Sequence, residues 1–142
     1  MYSFVLYLHI LGFAVWFGAV VTGTLLWRRR VRAGDAMAAT EDWRSIDRYL
    51  TEPSAIVVLL AGGYLMSAGE FAFDENPWIH IGFGALVGSV LLSIFGVGFA
   101  RRAATKAGAL SESLASRALW SAVAAGALIL VGLWAMVARP TF

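Results

Sequence analysis

Two imidazoles are the side chains best suited to ligand chemistry in this chain, and both stand in apolar surroundings. His9 lies within Tyr7-Leu-His-Ile-Leu-Gly-Phe-Ala-Val-Trp-Phe-Gly18, and His80 within Trp78-Ile-His-Ile. A ring that can titrate is costly in hydrocarbon, so a histidine inside an apolar run marks a functional site by default. Neutral imidazole suits haem iron, copper and zinc. The chain has no Cys, which excludes disulfides, thiolate metal centres, iron–sulfur clusters and thiol catalysis. No nucleophile with its base, and no acid–base pair, can be placed, so whether the chain is an enzyme stays open.

The elements that must position the imidazoles follow from composition. Of 142 residues, 60% are hydrophobic and 14% charged, with a mean hydropathy of +0.75. That is the composition of a membrane protein. Residues 1–27, 53–69, 76–100 and 118–138 carry no Asp, Glu, Lys or Arg. Crossing the hydrocarbon takes roughly 20 helical residues. The sequence therefore predicts spans over about 3–27, 51–69, 77–100 and 118–138. Pro53 and Pro77 suit first helical turns. The expected fold is all-α, an integral membrane four-helix bundle forming a single domain over 1–142.

The charges are sorted by side. Segment 28–52 holds six Arg, and segment 101–117 holds three Arg and one Lys. Residues 70–75 hold Glu70, Asp74 and Glu75 with no base. The positive-inside rule makes the arginine side cytoplasmic and sends both termini to the outer, periplasmic side of a bacterial inner membrane. The first run has no basic residues ahead of it and is too long for a cleaved signal peptide. Sorting by topology also removes nucleic acid as a partner. The lipid bilayer is the expected one, with a homo-oligomer, a larger membrane complex or a redox partner left open.

Between the first two spans, about 38–50 reads as a short helix along the cytoplasmic interface. Thr40 is its expected N-cap, and Trp43, Ile46, Tyr49 and Leu50 share a face. Thr51 is expected to cap the second span. Glycines 12, 18, 23, 62, 63, 84 and 88 read as close helix crossings or as room for a flat ligand. Phe71 and Phe73 read as interfacial aromatics in the outer turn.

Depth can be counted from the arginines. At about 1.5 Å per residue, His9 stands about 28 Å above Arg28, and His80 about 31 Å above Arg101. Two imidazoles at one level on parallel helices could clamp a haem b, with Gly12 and Gly84 making room and Phe13, Trp16 and Tyr64 lining it. Met66 and Met136 lie at similar depth, and with the histidines they would suit copper. The plainer alternative is that each ring bonds water, a headgroup or a carbonyl, and that the chain is a structural subunit without a cofactor.

Leu8-His9-Ile10-Leu11-Gly12 with Trp16-Phe17-Gly18, then Thr51-Glu52-Pro53, Gly63-Tyr64-Leu65-Met66 and Trp78-Ile79-His80, form a recognisable set. It resembles the DUF2269 family of small bacterial membrane proteins. It is also similar to the HemJ type of protoporphyrinogen oxidase and to the membrane part of the copper-resistance CopD proteins. The HemJ resemblance implies b-type haem, oxidation of protoporphyrinogen and a ligand role for His9. The Trp-x-His-x-Lys stretch of that group reads Trp78-Ile79-His80-Ile81-Gly82 here. The CopD resemblance implies copper passage across the membrane.

Overall fold

A computed structural model describes residues 1–69, 76–107 and 111–139. Four long helices make up the described residues. α1 is Tyr2–Arg32. α2 runs unbroken from Ala36–Ile46 through a π-helical turn, Asp47–Thr51, into Glu52–Ala68. α3 likewise joins Pro77–Leu92, a π turn at Ser93–Gly98, and Phe99–Ala107. α4 is Glu112–Ala138. Each of the four is long and apolar enough to cross a membrane. The all-α four-helix reading therefore holds. The acidic stretch 70–75, with Phe71 and Phe73, lies outside the described residues.

The segment expected as a separate helix over about 38–50 is helical, but no break separates it from the second span. Three residues connect it to α1, with Gly34 in the left-handed region at φ +77°. Asp35, not Thr40, caps α2, accepting from the Ala38 N–H at 3.2 Å. Thr40 is inside the helix, its hydroxyl donating to the Met37 carbonyl at 2.8 Å. Thr51 is buried in the π turn and caps nothing. Because the connection is so short, the polar part of α2 must run back along α1, and Trp43 meets Trp27 edge-on at 6.1 Å. Trp43 is buried, whereas Tyr49 and Leu50 face outward.

Both π turns have a reason in the spacing of inward residues. Trp43, Asp47 and Thr51 recur every fourth residue, as do Ser89, Ser93 and Val97. In an α-helix that spacing drifts about 40° per step; the wider π turn absorbs the drift and keeps the face turned inward.

Among the described residues the bundle is a row that closes at the arginine end. α1 packs on α2 along one side and α4 along the other, and α3 packs on α4. At the arginine end, Trp27, Ala39, Trp43, Val97, Ala100, Ala118 and Ala122 form one core. The indole of Trp27 donates to the Ala115 carbonyl at 3.3 Å. Towards the termini, Phe13, Trp16, Val20, Val58 and Ile129 form a second core. The Arg139 guanidinium lies 5.6 Å from the centre of the Trp78 ring, tying the end of α4 to the start of α3.

Among the described residues, α2 and α3 approach each other only through Ala36–Ile46 and Phe99–Ala107. An ion pair of Arg101 with Asp47, 3.4 Å long and with both side chains mostly covered, crosses that junction. Removing one partner leaves the other partly desolvated without a counter-charge. Asp47→Asn is expected to cost about 1–2 kcal/mol, between the surface and buried limits. A double-mutant cycle with Arg101→Gln in detergent should return coupling of about 1 kcal/mol, and coupling near zero would show that the pair holds nothing.

Candidate functional site

His9 is 6% exposed and faces α2. A Cβ built on Gly62 would stand 2.9 Å from its Cε1, so the ring lies where only a glycine leaves room. The backbone carbonyl of Val58 is its polar neighbour, and Phe13 meets it edge-on at 5.2 Å. Its Nδ1 is buried without a hydrogen-bond partner among the described residues.

One turn towards the arginines, Phe13 and Trp16 are each 1% exposed and lie nearly parallel, 6.2 Å apart. Together they fill the space between α1, α2 and α4, with Leu86, Val90, Leu133 and Met136 around them. The Nε1 of Trp16 and the Oγ of Ser89 are also buried without partners among the described residues. Orphaned groups of this kind each cost about 1–3 kcal/mol in a folded interior. These three, with the Trp43 Nε1 at the arginine end as a fourth, mark places where a ligand atom or a water would be welcome.

The structure does not bring His80 to His9. His80 is exposed on α3, and among the described residues no Cα of α1 comes within 8 Å of one in α3. Matching depth is therefore not matching direction. Gly12 is a close crossing with α2, where an added Cβ would stand 2.9 Å from Val58 Cγ2. Gly84 is exposed with open space beside it, on the outward face of α3. Tyr64 is exposed on α2. Of the residues expected around a clamped ring, His9, Phe13 and Trp16 share one interior.

Met136 joins them. Phe13 packs over Gly132, its ring 3.6 Å from where a Cβ would be. The helices are antiparallel, so one turn further His9 and Met136 come level on adjacent helices. Met136 packs against the Phe13 core, with its Cε 3.9 Å from a Cβ built on Gly82. Met66 is half-buried on α2, one turn beyond Gly62. No group of three His, Asp or Glu side chains suited to a hard or multi-carboxylate metal occurs among the described residues. Gly62, Val58 and Gly82 escaped the sequence reading as site residues. The Gly62-Gly63 pair signalled a close contact but not what it touches.

Comparison with known proteins finds no family model, no curated protein and no solved structure that matches this chain.

Proposed function

We propose that the chain is a multi-pass membrane protein holding b-type haem in the half nearer its termini, with His9 as protein ligand, for electron transfer or for haem sensing or handling. The observation that carries this reading is the buried, partnerless Nδ1 of His9. A neutral imidazole nitrogen without a hydrogen bond is available to a metal. Met136, level with it on the neighbouring helix, would hold the group together with His9 in this reading, in place of His80. Imidazole and thioether are both donors that haem iron accepts. Haem, when bound, supplies one-electron chemistry, and the chain holds and shields it. Phe13 and Trp16 fill the interior beside His9, so a macrocycle would have to displace their rings. The orientation proposed is arginines towards the cytoplasm of a bacterial inner membrane, termini outside.

That same filled interior favours a second reading, copper handling. A single soft ion needs no space for a macrocycle, and imidazole with the thioethers of Met136 and Met66 is a suitable donor set. The third reading, a structural subunit, takes His9 as a polar contact between α1 and α2.

Absorption spectra of the detergent-purified protein, oxidised and reduced, with haem and metal analysis, separate the three. The expected result is a Soret band with sharp reduced α and β bands at about one haem per chain. His9→Ala should lower retained haem at least tenfold, with His80→Ala unchanged and Met136→Leu shifting the bands. A colourless protein with copper that His9→Ala loses would replace haem by copper. A colourless, metal-free protein after supply of both would remove the ligand reading.

A further inference from the structure

At the arginine end, where α2 and α3 converge, a cleft of about 870 Å³ opens between them. Its walls carry four cations, Arg44, Arg101, Arg102 and Lys106, against one carboxylate, Glu41. Arg101 is engaged by Asp47 at 3.4 Å. Arg44, Arg102 and Lys106 have no ion pair among the described residues. Like charges converging on one concavity repel, and an anion seated there relieves the repulsion. Arginine forks also match phosphate oxygens in geometry as well as charge.

The hydroxyls at the rim do not compete for that role. Thr40 donates to the Met37 carbonyl and Thr105 to the Arg101 carbonyl, which leaves recognition to the cations. Phe99, 62% exposed, forms an apolar wall of the cleft. It continues along the outward face of α3 into Phe95 and Leu91, both exposed. Cations at the mouth and an apolar runway leading away from them match a phosphate headgroup and its acyl chains.

We propose that this cleft binds a phosphate-bearing anion, whose source is either an anionic phospholipid headgroup or free phosphate. Basic pockets between membrane helices bind acidic lipid headgroups for the physical reasons given above. The proposal is independent of any ligand at His9, which lies at the opposite end of α1.

Native mass spectrometry of the full chain in mild detergent tests it. Phosphatidylglycerol is titrated against phosphatidylcholine, and inorganic phosphate is added in a separate arm. Phosphatidylglycerol should be retained at least tenfold more than phosphatidylcholine. Each basic group near a lipid surface contributes about fivefold, so Arg44→Gln/Arg102→Gln/Lys106→Gln should abolish a preference on the order of a hundredfold or less. Arg28→Gln/Arg32→Gln, in a separate cleft between α1 and α4, should leave it intact. If the triple variant fails to fold, single reversals Arg44→Glu and Lys106→Glu should each weaken retention. Lipid that resists millimolar phosphate assigns the site to a headgroup; displacement, with phosphate itself bound, assigns it to the free anion. Equal retention by parent and cleft variants, or equal loss in the Arg28/Arg32 control, overturns the proposal.

Discussion

Gly96→Leu is expected to force α3 away from α4 and to destabilise the bundle by about 3 kcal/mol, the upper end of the range for overpacking. Gly96 lies in the π turn of α3, against Ser121 of α4. The Cβ and Oγ of Ser121 occupy the position a side chain at 96 would take, and its Cα lies only 3.6 Å from there. A serine rotamer change moves Oγ but not Cβ or Cα, so relief requires the helices to separate. Gly84→Leu supplies the control, because nothing lies within 4 Å of its added Cβ. Thermal unfolding in detergent should show a large loss for Gly96→Leu, a smaller one for Gly96→Ala, and little change for Gly84→Leu. Equal effects at both positions would mean that helix propensity, not crossing distance, controls stability here.

The second large effect is at Trp16. Truncating a buried Trp to Ala typically costs 3–5 kcal/mol. Trp16→Ala should lie near about 3 kcal/mol, because it also removes the orphaned indole N–H. Trp16→Phe separates the two contributions. It keeps most of the volume against Phe13 and Val58 while deleting the donor, so it should be close to neutral. If Trp16→Phe costs as much as Trp16→Ala, the indole nitrogen has a partner in the folded protein. That outcome would point to a bound group beside His9, and comparison with metal-depleted protein would show which one.

The four helices were legible in the sequence because a helix long and apolar enough to cross a membrane carries little charge, so runs without Asp, Glu, Lys or Arg mark where each lies. The helical character of 38–50 was legible too, but its placement was not. Trp43 and Leu50 read as one face at 3.6 residues per turn, and the π turn between them changes the count. Trp43 turns inward onto Trp27, and Leu50 turns out. Among the site residues, depth could be counted from the arginines, since rise per residue accumulates with little error. Direction could not, because it depends on which neighbour each helix chooses. Hence His9 and Met136 share an interior while His80, at the same height, faces outward. Glycine carries a similar ambiguity: Gly12 and Gly84 look alike as letters, yet one is pressed on Val58 and the other faces open space.

The π turns bear on how this chain can change length over time. Each has the form of a single inserted residue that the helix absorbs without breaking. Deleting one residue within 47–51 would restore ordinary α-helix and leave the first part of α2 in nearly its present phase relative to Val58 and Gly62, because the π turn had already absorbed that residue. Trp43 would stay on Trp27 and Arg44 in the cleft. Deleting a residue from ordinary α-helix instead turns the two flanking parts by about 100° relative to each other. The π turn is therefore a place where α2 can lose a residue and keep its two ends coupled.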